Sequence, residues 1–158
     1  MIELSSIKTV NFNTHFIGKV SGELSQFLLP LKNKLAITDF SYAKLYPDRT
    51  ETFLTTRPDF SELFVKEKFY LLSTVSDIDQ YNEGYYLFMA LPQQNPLMCA
   101  LKEKNMPQGL TVIKRNANAV ELFFFASSHN NPMINNYFIN HINLFESAIS
   151  TFKEQCAP

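Results

Sequence analysis

The chain has 158 residues, a length that fits one domain, with 46% hydrophobic and 18% charged residues and a formal net charge of −1. That composition excludes disorder, because so much apolar surface can offset the entropy of folding, and it excludes a strong basic field for holding phosphate backbone. Rings are abundant instead: 15 Phe and 7 Tyr, with no Trp, predict a ring-rich core, a ring-lined pocket, or both.

The opening residues, Met1 to Lys8, hold no basic leader ahead of a long apolar run, and the longest apolar run, Tyr85 to Leu91, is too short to cross a bilayer. Cys99 and Cys156 stand far apart without metal-ligand spacing, which fits reduced thiols in a cytoplasmic protein.

In chain order, Phe16, Ile17, Val20, Leu24, Phe27, Leu28 and Leu31 recur at helical spacing after Asn13 or Thr14 as N-cap, and Pro30 is expected to kink or end this helix. Gly18 and Gly22, four apart, predict close packing there. From Ile37 the period becomes two, with Phe40, Tyr42 and Tyr46 on one face and Ser41, Ala43 and Leu45 on the other. Pro47 to Thr50 reads as a turn, and Glu51 to Thr56 as the returning strand of a hairpin. Pro58 opens a second helix carrying Phe60, Leu63, Phe64 and Phe69, followed by a polar irregular stretch from Leu71 to Glu83.

Tyr85 to Leu91 predicts a strand apolar on both faces, Pro92 to Pro96 a loop, and Leu97 to Lys104 a short helix. Leu110 to Arg115 and Val120 to Ser127 form two strands joined by Asn116 to Ala119, a hairpin. Pro132 opens one long helix to about Lys153, capped by Asn131 or Asn130. Strands apolar on both faces need cover front and back. The expected fold is therefore α+β: an α-β-α sandwich around a five-stranded, mostly antiparallel sheet.

Catalytic chemistry finds nothing to stand on. There is no glycine-rich phosphate loop, and His15, His129 and His141 are scattered, so neither an enzyme nor a metal or other cofactor is expected. The aromatic positions stand out. Phe40, Tyr42, Tyr46, Phe53, Phe60, Phe64, Tyr85, Tyr86 and Phe88 are expected to meet near one sheet face, where hydroxyls of Tyr42, Tyr70, Tyr86 and Ser73 add sparse anchors of the kind a small-molecule pocket uses. The competing reading is a filled core, since Phe is commonly buried.

The last helix carries Ile134, Tyr137, Phe138, Ile142, Phe145, Ile149 and Phe152, a stripe wider than one sheet face requires. It predicts either contact with something C-terminal or a subunit interface, the chain being a homodimer by itself or with its missing domain attached. A clean monomer burying Phe138, Phe145 and Phe152 within one subunit would overturn the homodimer. The nearest approach to a basic cluster, Lys102 with Lys104, is a solvated helix end, so no duplex DNA binding is expected of this chain.

Phe40 to Asp48, Leu54 to Phe60, Glu121 to Ala126 and Asn136 to Phe145 together resemble the N-terminal sensor domain of LuxR-type bacterial transcription regulators, closest to those of Legionella-like bacteria. The resemblance covers most of the chain and implies a single ligand-sensing domain over residues 1–158. It also implies dimerisation and a DNA-binding helix-turn-helix domain that this chain does not contain. Either the chain is a cut sensor domain or a natural stand-alone one.

In the quorum-sensing members the spacing Trp, three residues, Tyr, eight, Asp, fourteen, Trp surrounds an acyl-homoserine lactone; here it falls on Phe60, Phe64, Ser73 and Phe88. The implied ligand site is then Tyr42, Phe60, Phe64, Ser73, Tyr86 and Phe88. Phe cannot donate a hydrogen bond and Ser carries no charge, so the site predicts weak lactone binding and a more apolar guest. The alternative is a PAS- or GAF-like interaction domain with a filled core and no ligand.

Overall fold

A computed structural model of the chain describes residues 26–47, 51–57, 82–88, 96–117 and 119–155. The start of the first predicted helix, the second helix with Phe60 and Phe64, the polar stretch holding Ser73, and the loop before Pro96 lie outside the described residues.

Residues 26–35 form α1, in which Phe27, Leu28, Leu31 and Leu35 recur at helical spacing and are all buried. The helix does not end at Pro30. Leu31 and Leu35 are 0% and 1% exposed, and the apolar area they remove from water outweighs the one hydrogen bond proline cannot donate. The helix ends at Ala36, whose φ of 56° is left-handed and whose N–H reaches the Lys32 carbonyl at 3.2 Å.

The remaining elements are β1 (Ile37–Leu45), β2 (Glu51–Thr55), β3 (Gly84–Leu87), α2 (Pro96–Glu103), β4 (Gln108–Asn116), β5 (Ala119–Ser127), α3 (Ile134–Asn140) and α4 (Ile142–Gln155). They build a five-stranded sheet of order β2-β1-β5-β4-β3 in which every neighbouring pair is antiparallel. The α+β class, the two hairpins and the strand number agree with the sequence. β3 is shorter than expected and is not apolar-buried on both faces, because as an edge strand it leaves Tyr85 45% and Tyr86 41% exposed.

α2 closes with a Schellman turn. Asn105 is left-handed (φ 59°), the Met106 N–H bonds the Leu101 carbonyl at 2.7 Å, the Asn105 N–H bonds the Lys102 carbonyl at 3.0 Å, and Leu101 and Met106 are both buried. The long C-terminal helix is in fact two. At His141 the backbone leaves helical geometry (φ −126°, ψ 33°) and its N–H turns to the Phe138 carbonyl. Side chains take the carbonyls one turn back, Asn140 Nδ2 on Asn136 and His141 Nδ1 on Tyr137, which is the competition that makes Asn and His poor helix-interior residues. The first of the two starts at Ile134, after Met133 and without a side-chain cap, so Asn131 does not cap it; the Asn131 Oδ1 accepts from the Met133 N–H at 3.0 Å in the turn that leads in.

Register decides what each sheet face does, because cross-strand partners share a face. Phe40, Tyr42, Leu54, Leu110, Val112, Phe123 and Phe125 fall on one face and pack with Phe27, Leu31 and Leu35 of α1, Phe138 of α3, and Phe145, Ile149 and Phe152 of α4. Phe152 sits among the rings of Tyr42, Phe40, Phe27 and Phe123, with centroids 4.8–6.2 Å away. Phe138, Phe145 and Phe152 are each 0% exposed within this one chain. The last helix therefore spends its wide apolar stripe on its own core, and the outward face of α4 (Asn143, Ser147, Ser150, Glu154) is polar.

Candidate functional site

The second sheet face carries the other parity: Ser41 and Ala43 of β1, Thr55 of β2, Tyr86 of β3, Gly109, Thr111 and Ile113 of β4, and Leu122, Phe124 and Ala126 of β5. One row runs straight across all the strands as Thr55, Ser41, Phe124, Thr111 and Tyr86, so a single ring is flanked on both sides by hydroxyls. Ser41 and Thr55 are buried and bonded to each other at 2.8 Å, and Thr55 Oγ1 also accepts from the Arg57 N–H at 3.0 Å. The Tyr86 hydroxyl donates to the Asn82 carbonyl at 2.9 Å, which keeps an oxygen lone pair available. The row carries no charge.

Phe88 follows β3 and is 5% exposed. Its ring lies where a side chain on Gly109 would project, so the glycine is what lets the ring rest on β4. Tyr86 and Phe88, two of the residues the sequence selects, thus come together on this face.

Tyr42 does not join them. It occupies the opposite parity, 0% exposed in the core, and donates its hydroxyl to Glu121 Oε2 at 2.6 Å. Burial raises its pKa far above the usual phenol value, and the bond to Glu121 adds to the shift. The expectation that Tyr42, Tyr85, Tyr86 and Phe88 share one face fails on parity: Tyr42 and Tyr85 belong to the helix-covered face, one residue out of step with Tyr86. Phe60, Phe64 and Ser73 lie outside the described residues.

Sequence reasoning missed Ser41, Thr55, Thr111 and Phe124. The signal was present in strand alternation. Thr111 and Phe124 sit at positions whose neighbours on either side are apolar and sealed, but only register shows that they meet. Among the described residues no group of three or more His, Cys, Asp or Glu is placed to hold a metal ion, and no helix is long and apolar enough to cross a membrane.

No protein-family model matches the sequence, and no curated protein matches it. Solved structures do. Escherichia coli SdiA superposes with a TM-score of 0.63 at 14% identity, over 85% of this chain and 61% of SdiA, and a second SdiA structure, in complex with octanoyl-rac-glycerol, gives 0.63 at 13% over 85% and 59%. CepR2 of Burkholderia cenocepacia, an N-acylhomoserine-lactone-dependent LuxR-family transcription factor, gives 0.59 at 10% over 86% of this chain and 93% of that one. The ligand-binding domain of Pseudomonas aeruginosa VqsR gives 0.53 at 11% over 87% and 96%. The chain spans about three fifths of the SdiA chains. It has the fold of the ligand-binding domains of LuxR-type regulators.

Proposed function

We propose that the chain is the small-molecule-sensing domain of a LuxR-type regulator and that its ligand, uncharged and mostly apolar, lies on the second sheet face over Thr111, Phe124 and Tyr86 and beside Phe88. Phe60, Phe64 and Ser73 complete the proposed site. One contrast carries this reading. On the core face of β4 and β5, Leu110, Val112, Phe123 and Phe125 are at most 1% exposed, whereas on the opposite face Thr111, Ile113 and Phe124 stay half-buried between the buried Gly109, Leu122 and Ala126. A ring flanked by neutral hydroxyls suits a guest that is largely apolar with a few hydrogen-bonding groups. SdiA holding octanoyl-rac-glycerol is a neighbour of this fold with a guest of that chemistry.

Thermal-shift and calorimetric titrations with 1-octanoyl-rac-glycerol and N-octanoyl-homoserine lactone test the reading. At a hundredfold excess over Kd a ligand stabilises by about 2.7 kcal/mol, which is about 5–10 °C in Tm for a chain of this size. The expected result is a shift with the glycerol ester, a smaller one with the lactone, and loss of both in Thr111→Val. No shift with either, or a shift indifferent to Thr111 and Phe124, overturns it. DNA contact belongs to a domain outside this chain, so an anisotropy titration should find nothing tighter than about 10⁻⁶ M for duplex DNA at physiological salt.

A second reading, association through protein contacts, has α3 in its favour. Met133, Tyr137 and Ile139 are 59%, 57% and 50% exposed. Any homodimer would use this helix rather than the ring stripe of α4, and sedimentation of Tyr137→Ser beside the parent chain separates the two.

A further inference from the structure

Glu121 is the one carboxylate that β5 turns into the core face, and its side chain is 5% exposed. Two groups meet it. Tyr42 of β1 donates to Oε2 at 2.6 Å, and Lys153, in the last turn of α4, donates to Oε1 at 2.9 Å. The lysines that flank Glu121 in register are engaged elsewhere: Lys114 Nζ bonds Glu146 at 2.8 Å, and Lys44 Nζ lies 5.5 Å from the centre of the Tyr46 ring. Lys153 therefore supplies the ammonium on a carboxylate that water barely reaches.

Besides this pair, the last turn of α4 is held by Phe152. Of residues 150–155 only Phe152 is buried; Ser150, Lys153, Glu154 and Gln155 are exposed. Phe152 inserts between Tyr42, Phe40 and Phe123, and Tyr42 is the residue that donates to Glu121. An unpaired carboxylate at this depth is costly, and the cheapest way to hydrate it is to lift the element that covers it.

We propose that Glu121 is a buried charge anchor for the C-terminal turn of α4: paired with Lys153 it keeps the turn closed over Phe152, and left unpaired it drives that turn, and not the sheet, to open. The device is independent of whether a ligand occupies the other sheet face. It makes a specific claim about charge. Removing Lys153 opens the turn, and then neutralising Glu121 as well closes it again, because the neutral amide of Gln needs no counter-ion and still accepts from Tyr42.

Hydrogen exchange read by mass spectrometry on the whole chain decides it, comparing Lys153→Met, Glu121→Gln and the double variant. The expected result is about tenfold faster exchange in residues 148–155 of Lys153→Met, unchanged protection in β4 and β5, and near-parental protection in the double variant. Equal protection in Lys153→Met, acceleration that spreads through the sheet, or a double variant that exchanges as fast as the single one overturns the proposal. If Lys153→Met does not fold, Lys153→Arg, which keeps the charge, should exchange like the parent chain in the same segment while Lys153→Gln exchanges faster; equal exchange in the two refutes it.

Discussion

Gly109 is where the candidate site can be disturbed with the smallest chemical change. A Cβ built there would stand 2.7 Å from Cδ2 of Phe88 and closer still to its Cε2, where 3.4 Å is the start of ordinary contact, so the ring must retreat by more than about 0.7 Å. The same Cβ meets the Phe125 carbonyl oxygen, a backbone atom in the β4–β5 ladder that cannot turn aside. Overpacking of this kind costs about 1–3 kcal/mol, partly offset by about 0.5–1 kcal/mol because alanine loses less backbone entropy than glycine in a strand. Gly109→Ala should lose about 1–2 kcal/mol, lowering the urea midpoint by about 0.5–1 M in equilibrium denaturation. Adding Phe88→Leu should recover part of the loss, since it relieves the ring but not the carbonyl. An unchanged or raised midpoint for Gly109→Ala would show that Phe88 does not rest on β4, and with it would go the placement of the ring in the site.

Phe152→Ala empties the centre of the ring cluster and should cost about 3–5 kcal/mol, or about 8–15 °C in Tm; a loss under about 2 kcal/mol would mean that the core closes around the gap. Ala36→Gly should stabilise by about 0.5–1 kcal/mol, because a Cβ in the left-handed region is strained and glycine is not, and a loss would contradict the helix cap seen at Ala36. Tyr42, whose pKa is raised in the folded chain, contributes stability that is fully present below the unfolded phenol value of about 10 and is lost as pH rises beyond it, at up to about 1.4 kcal/mol per unit. Tyr42→Phe should remove that part of the alkaline slope in denaturation measured from pH 9 to 11, and identical slopes would refute the assignment.

The two hairpins were legible because their signals are local. Asn116 to Ala119 and Pro47 to Thr50 are turn sequences whichever way the sheet is assembled. Where local and long-range terms compete, the sequence misled. Pro30 predicts a kink or an end, but Leu31 and Leu35 bury enough apolar surface to carry α1 past it. Asn140 and His141 fall inside what reads as one long helix, and only their bonds to the preceding turn reveal the break. The candidate site was half legible for the same reason. Rings could be counted, but the sheet order that brings β5 between β1 and β4 sets which rings meet, and no neighbouring residues in the chain encode it.

Parity also limits what this site can recognise. Each residue of β1 serves one master: Tyr42 secures the helix-covered core, while Ser41, beside it, faces the other way. The Tyr42 hydroxyl, one of the expected anchors, is therefore committed to Glu121, and the hydroxyls left in the central row of the second face are Ser41, Thr55, Thr111 and Tyr86, while Asp39, of the same parity, pairs with Arg57. A hydrogen bond to a charged group is worth about 1.5–3 kcal/mol against about 0.5–1.5 for a neutral one, so a ligand held by hydroxyls forgoes on the order of tenfold in affinity per anchor compared with one held by a carboxylate. Such a site recovers affinity through apolar contact, which Phe88 and Phe124 provide. The proposed site therefore rests on the surface of two rings, Phe88 and Phe124, with neutral hydroxyls to orient the guest, while Phe27, Phe40, Phe123, Phe125, Phe138, Phe145 and Phe152 are spent on the core.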